Sequence, residues 1–245
     1  LEVESRRARD AVAAMLDLCG LDFSNVPAAP TSVDLERVLQ QAIKQTAALA
    51  MSRELTVMYR LDPQAPMFCL TDDDRISKSL CTVLSHALYR TTRGYVTLEA
   101  KAKRIETQHA SRHGKLELEI TVRDTSAGAS TEELATWRRF PKYEGLQVTR
   151  HRIGLFGAHL AMEHLGGALE LDSEVNIGTS YSLRFAAAAA PGQEPSWRGQ
   201  QAELIGCPIS IVDPGIGTSG LLRKVLREWG AKATVHATVQ AAVAA

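Results

Sequence analysis

A two-layer α/β sandwich followed by a partial second α/β unit is the architecture this sequence predicts, and three observations predict it. The stretch Arg150–Phe185 reads as a glycine-marked loop, a helix stopped at Gly166-Gly167, a strand over Ala168–Asp172, a turn holding Gly178, and a strand over Ser180–Phe185. Glycine ends the helix because it takes positive φ without steric penalty, and each strand shows the alternation of a half-buried sheet. Two long segments starting near Thr31 and Asp74 carry apolar residues at helical spacing. Beyond the Ala/Pro/Gly-rich stretch 186–197, the pattern strand, amphipathic helix, strand opens a parallel α/β unit.

Taken in order, residues 1–19 read as a helix with Val3, Val12, Met15, Leu16 and Leu18 on one side and an Arg/Glu-rich opposite side. The polar, proline-containing run to Pro30 is a linker. A helix is expected to start at Thr31-Ser32, capped by their hydroxyls, with Asp34 and Glu36 in its first turn. Leu35, Val38, Leu39, Ala42, Ile43, Thr46, Leu49 and Ala50 give it one buried face. Strands over Leu55–Leu61 and Met67–Thr71 flank a turn at Asp62-Pro63. A second helix over Asp74–Thr92 follows, with Ile76, Leu80, Val83, Leu84, Ala87 and Leu88 as its apolar stripe.

Strands over Tyr95–Lys103 and Lys115–Asp124 come next; in the latter, Leu116, Leu118, Ile120 and Val122 alternate with Glu117, Glu119, Thr121 and Arg123, so one face packs and one is wet. The polar loop between them holds His109 and His113, too few ligands on too loose an element for a metal site. After the linker, Pro208–Asp213 reads as a buried strand, Gly217–Trp229 as a helix and Ala233–His236 as a strand.

Composition narrows the function classes. The chain has 245 residues, 45% hydrophobic and 23% charged, with zero formal net charge, so no bulk field draws it to nucleic acid. The short basic run Lys101–Arg104 reads as a solvated strand end. Cys19, Cys69, Cys81 and Cys207 form no C-x-x-C pair, which excludes the common zinc and disulfide frameworks and fits a reducing, cytoplasmic compartment. No apolar run approaches the ~20 residues of a membrane span, and no signal peptide opens the sequence.

Leu165-Gly166-Gly167, Asp172-Ser173-Glu174-Val175 and Gly178-Thr179-Ser180 are similar, in residues and spacing, to the end of the ATP-binding domain of sensor histidine kinases, in the GHKL ATPase superfamily. The resemblance implies the two-layer sandwich of the histidine-kinase ATPase (Bergerat) type over residues 22–186. It further implies the end of a dimerisation helix over 1–21, a linker over 187–204, and a partial flavodoxin-like receiver unit over 205–245. The phosphoacceptor histidine of such kinases belongs to a preceding helix, and the receiver's phosphoacceptor to a strand past Ala245. Of the acidic pair that follows a receiver's first strand, Asp213 matches one member and Pro214 takes the place of the other.

The same resemblance assigns four chemical slots. The family's helical motif N-L-L-x-N-A-x-K-[FY]-T falls on Thr82–Thr91, with Thr82 and His86 where the asparagines stand. An amide oxygen at the His86 position would hold magnesium, and a neutral imidazole is a poor substitute for that hard cation, so Mg²⁺ is not expected. The base-reading motif D-x-G-x-G falls on Asp124–Gly128, with Ser126 for its first glycine. The phosphate loop G-x-G-x-G-L falls on Arg150–Leu155, keeping Gly154 and adding Arg150 and Arg152; the fourth slot, Gly178-Thr179-Ser180, is intact.

The implied cofactor-binding residues are thus Asp124, Gly128, Gly154, Thr179, His86 and Thr82, with ATP or ADP as ligand and no catalytic residue assigned. The implied partners are a second dimerisation helix, in a homodimer or heterodimer, and a sensor kinase or response regulator, with no nucleic acid and no membrane contact. The expected function is that of a signal-transduction module of a hybrid two-component kinase whose altered ATP-binding domain acts by protein interaction. The competing expectations are an active histidine autokinase, a GHKL ATPase of another type, and a structural spacer.

Overall fold

The computed structural model describes residues 30–104, 115–138, 150–190, 201–213 and 218–244. The expected dimerisation helix, the histidine pair His109 and His113, and most of the segment between Trp137 and Arg150 lie outside the described residues. The described elements fall into two compact units.

The first unit runs β1 (Thr31–Asp34), α1 (Leu35–Ser52), β2 (Thr56–Leu61), β3 (Phe68–Thr71), α2 (Asp73–Arg90), β4 (Tyr95–Arg104), β5 (Lys115–Asp124), α3 (Thr131–Arg138), α4 (Arg150–His164), β6 (Ala168–Glu174) and β7 (Gly178–Ala189). Its sheet has seven strands in the order β1-β3-β7-β5-β4-β2, with β6 also paired to β7. The β2–β4 pair is parallel and the others are antiparallel. One edge of β7 pairs with β5 from Thr179 to Ala188; its other edge pairs with β6 as far as Arg184, then with β3 at Ala188 and Ala189.

The core lies between this sheet and the helices. Leu35, Val38 and Leu39 of α1, Ile76, Leu80, Val83, Leu84, Ala87 and Leu88 of α2, and Leu155, Ala158 and Met162 of α4 join Val96, Leu98, Leu118, Ile120, Val122, Leu183 and Phe185 of the strands in one buried cluster. Every stripe residue expected on the second helix is inside it, because positions three and four apart fall on one helical face. Burying each large aliphatic side chain contributes on the order of 1.5–3 kcal/mol.

Two element starts differ from the sequence reading. Thr31 and Ser32 do not cap a helix: with Val33 and Asp34 they form β1, paired to β3, as suits a segment containing β-branched Thr31 and Val33. The cap is Asp34, whose side chain accepts from Arg37 N–H at 3.0 Å. Asp72 caps α2 in the same way through Arg75 N–H at 3.0 Å, with Asp73 and Asp74 set favourably in the first turn.

The second difference concerns Arg150–Leu155, expected as a glycine-marked loop and found helical from Arg150 onward. With Gly154 as the single glycine kept, the flanking residues leave little to oppose a helix, and the chain first breaks at Gly166, at φ +70°. The side chains of Arg150 and Arg152 lie outside the described residues.

The second unit contains a short 3₁₀ turn (Ala202–Leu204), β8 (Pro208–Val212), α5 (Thr218–Glu228), β9 (Lys232–His236) and α6 (Val239–Val243). β8 and β9 pair in parallel, the arrangement the strand-helix-strand pattern predicts. Asp213 accepts from Ser219 N–H at 3.0 Å and from the Thr218 hydroxyl, so its carboxylate caps α5. Among the described residues no helix is long and apolar enough to cross a membrane.

Candidate functional site

The loop after β5 is held by the last residue of that strand. Asp124 is 5% exposed, and its Oδ1 accepts two backbone N–H bonds of 3.0 Å, from Ser126 and from Thr179 at the start of β7. The carboxylate therefore ties the loop to the far strand. Ser126, in the slot of a glycine, accepts from Gly128 N–H at 3.2 Å and tightens the same turn. Gly128 sits at φ +71°, and a Cβ there would fall 2.1 Å from the Glu174 carbonyl oxygen; both conditions demand glycine.

The β6–β7 turn clamps this loop from the side. Asn176 N–H donates to the Ala127 carbonyl at 2.8 Å. Ser173 Oγ accepts from Ala129 N–H at 2.8 Å and lies 2.9 Å from the Thr179 hydroxyl. The loop that follows Asp124 is thus anchored from the next turn. The other carboxylate oxygen, Oδ2, is buried without a hydrogen-bond partner among the described residues. A buried carboxylate oxygen left unmatched is costly, and this carboxylate also interacts with the Tyr181 hydroxyl.

The His86 slot is built differently. His86 is buried on α2, its Nδ1 lies 2.9 Å from the Tyr181 hydroxyl on β7, and the two rings meet edge-on with centroids 5.5 Å apart. Trp137 of α3 approaches the same imidazole edge-on at 5.9 Å. The Arg90 guanidinium lies 4.2 Å from the centre of the Trp137 ring and donates to the Gly128 carbonyl at 2.8 Å. Burial pushes the Tyr181 phenol well above its ordinary range, and the charge of Asp124 pushes it further, so its proton stays on.

Trp137 is positioned by α3, which opens with a capping box: Glu133 accepts from Ser130 N–H at 3.0 Å, and Ser130 Oγ accepts from Glu133 N–H at 3.2 Å. Arg138 then fastens the helix to β6 with two bonds to the Leu171 carbonyl, of 3.0 and 2.6 Å.

Thr82 and Gly154 come together where α2 meets α4: a Cβ added at Gly154 would lie 2.7 Å from the Thr82 Cγ2 methyl. Gly154 is past the first turn of α4, where backbone N–H groups are taken up within the helix. It acts here as a close-packing residue, and its amide does not join a phosphate cradle.

The structure therefore brings Asp124, Gly128 and Thr179 into one hydrogen-bonded loop system. It places His86 in an aromatic cluster and pairs Thr82 with Gly154 at a helix contact. The sequence reading missed Tyr181, Trp137, Arg90 and Ser173 as parts of the site. Tyr181 alone had a local signal, standing two residues after Thr179 and hence on the same face of its strand. The residues fit an amino donor at Asp124 Oδ2. They do not fit a magnesium ion at His86, whose imidazole is engaged by a protonated phenol. Among the described residues no group of three His, Cys, Asp or Glu side chains is arranged to hold a metal.

No family model matches the chain. Sensor protein EvgS of Escherichia coli O157:H7 is 24% identical over 206 residues, covering 75% of this chain and 16% of that protein. Hybrid signal transduction histidine kinase B of Dictyostelium discoideum is 21% identical over 180 residues, covering 69% and 9%. The chain thus spans a small part of the length of these relatives. Among solved structures, full-length ShkA in complex with AMPPNP superposes with a TM-score of 0.73 at 18% identity, over 99% of this chain and 48% of that one. Acinetobacter baumannii histidine kinase AdeS gives 0.51 at 14% identity, over 77% and 81%.

Proposed function

We propose that this chain, a relative of hybrid sensor histidine kinases with the fold of their ATPase domain, is a module of a two-component phosphorelay that binds an adenine nucleotide and acts through protein contacts. The observation that carries the reading is the buried carboxylate of Asp124, whose Oδ2 makes no hydrogen bond of ordinary geometry among the described residues. An acceptor held rigidly by two backbone bonds on its sister oxygen suits the exocyclic amino group of adenine, which offers a hydrogen-bond donor. The presence of a nucleotide analogue in the ShkA complex supports the same ligand class.

Phosphoryl transfer asks for more than base binding: it needs metal and donors that neutralise the charge spreading over the phosphate oxygens. The slots for that task hold His86, engaged with Tyr181, and Gly154, packed on Thr82. We therefore assign the chain a regulatory role, in which the ATPase-type domain biases a partner kinase or regulator, and we read the second unit as receiver-like from its parallel β8–α5–β9 order.

Titration of the chain with ATP and ADP by calorimetry tests the ligand. Binding that is lost in Asp124→Asn is expected; equal binding by the variant would overturn the base assignment. Incubation with labelled ATP and a supplied dimerisation domain tests the role. The expected result is no transfer to histidine, and magnesium-dependent labelling would replace this reading by that of an active autokinase.

A further inference from the structure

We infer that Thr179 and Asp124, acting through the Tyr181 hydroxyl, fix the tautomer of His86: the neutral imidazole carries its proton on Nδ1 and keeps Nε2 as an acceptor. This concerns the protein alone and stands whether or not the site takes a nucleotide.

A chain of hydroxyls runs from the β6–β7 turn toward α2, and a carbonyl sets its direction. The Gly178 carbonyl oxygen lies 2.9 Å from Ser173 Oγ and can only accept, so the Ser173 proton is used there. Both lone pairs of Ser173 Oγ are then taken, one by Ala129 N–H at 2.8 Å and the other by the Thr179 hydroxyl at 2.9 Å. Thr179 is therefore the donor of that pair. Its own oxygen remains as an acceptor.

Tyr181 is the next hydroxyl in the chain. In the β5–β7 register Asp124 stands opposite Thr179 and Val122 opposite Tyr181, so Asp124 and Tyr181 are diagonal neighbours on one face of the sheet. The phenol meets both the Thr179 hydroxyl and the Asp124 carboxylate there, and burial holds its proton on. A carboxylate has no proton to give, and the Thr179 proton is spent on Ser173. Arg90, whose charge also reaches this phenol, is a donor only.

His86 Nδ1, at 2.9 Å, competes for the same phenol proton. A charged acceptor attracts an O–H proton more strongly than a neutral nitrogen does, and Thr179 adds a second acceptor beside it. The Tyr181 proton thus turns toward the strands, and its oxygen presents a lone pair to α2. Of the two groups in that contact the imidazole must donate, which puts the proton on Nδ1. A group that meets Nε2 must then bring a hydroxyl or an N–H.

Long-range proton–nitrogen NMR of the full chain without ligand, at about pH 8 and so above the ordinary histidine range, tests the assignment. The His86 signals are identified by their loss in His86→Gln. The expected pattern is a protonated Nδ1 with Nε2 far downfield; an Nε2–H ring, or one still doubly protonated, overturns the inference. Tyr181→Phe removes the relay and should return His86 to Nε2–H, the tautomer a free histidine side chain favours. The double variant Asp124→Asn with Thr179→Val takes both acceptors from the phenol, whose proton should then turn to Nδ1 and leave His86 as Nε2–H. If Nδ1–H persists in either folded variant, the tautomer is set by another group and the relay is refuted.

Discussion

The two sides of the candidate site are made of different materials. The side around Asp124 is backbone: Asp124 holds two N–H groups, Gly128 fits beneath Glu174, and Asn176 and Ser173 brace the loop from the next turn. The opposite side is side chain on side chain: His86 on Tyr181, Trp137 on His86, Arg90 on Trp137, and a Thr82 methyl against Gly154. Backbone geometry of the first kind survives changes in identity around it so long as a few glycines and one carboxylate remain. Side-chain clusters of the second kind exchange one chemistry for another by a handful of substitutions, without disturbing the fold.

Five substitutions would sharpen or break that contrast. The largest effect is expected from Asp124→Asn, which keeps an Oδ1 acceptor for Ser126 and Thr179 but replaces the charged Oδ2 with an amide donor. Nucleotide affinity should fall by about 10- to 100-fold, corresponding to a charge-assisted bond of about 1.5–3 kcal/mol, with little change in melting temperature. A large loss of stability in that variant would mean that Oδ2 matters to the fold rather than to a ligand.

Gly128→Ala comes next. Its φ of +71° and the 2.1 Å clash with a backbone oxygen leave nowhere for the methyl to go, so denaturant unfolding should register a loss of about 2–3 kcal/mol. Gly154→Ala should do less, about 1–2 kcal/mol, because its clash is with the end of the Thr82 side chain and its backbone is helical. Thr82→Ser removes the offending methyl and should restore most of that loss. Failure of the rescue would show that Gly154 is needed for something other than packing on Thr82.

The smallest effect is one of pH. Burial raises the Cys69 thiol from 9.0 to about 12. Its contribution is thus fully present below pH 9.0, where the thiol is neutral in both states. It is lost as pH rises through about 12, because the unfolded chain releases that proton first. In Cys69→Ala, the alkaline fall in unfolding free energy should be shallower between those limits.

What was legible in the sequence was whatever has a local signature. β5 lies over the residues its alternation marks, Lys115–Asp124, and the helix-hairpin ending at β7 is announced by Gly166-Gly167 and Gly178. The stripe of α2 needed only its spacing. The start of α1 was misplaced because Thr31-Ser32 suits either a cap or a strand, and the pairing partner that decides, β3, lies about forty residues away. The start of α4 was misjudged because a motif position was allowed to imply a loop where composition favours a helix.

The contacts that His86 makes were not legible. Its central bond joins residues 95 positions apart, and neither imidazole nor phenol carries a mark that it will meet the other. Long-range side-chain pairs of this sort are decided by the register of the sheet and the seating of helices, which only the folded chain displays.

Strand β7 has a consequence for how the molecule breathes. Its first residues give Thr179 N–H to Asp124, its middle is sandwiched between β5 and β6, and its last two paired residues join β3. In amide hydrogen exchange a strand flanked on both edges opens only when its neighbours open. The Thr179 amide is therefore a natural reporter: a ligand that fills the slot should slow its exchange with deuterium, and protection should spread down β7 toward Ala188.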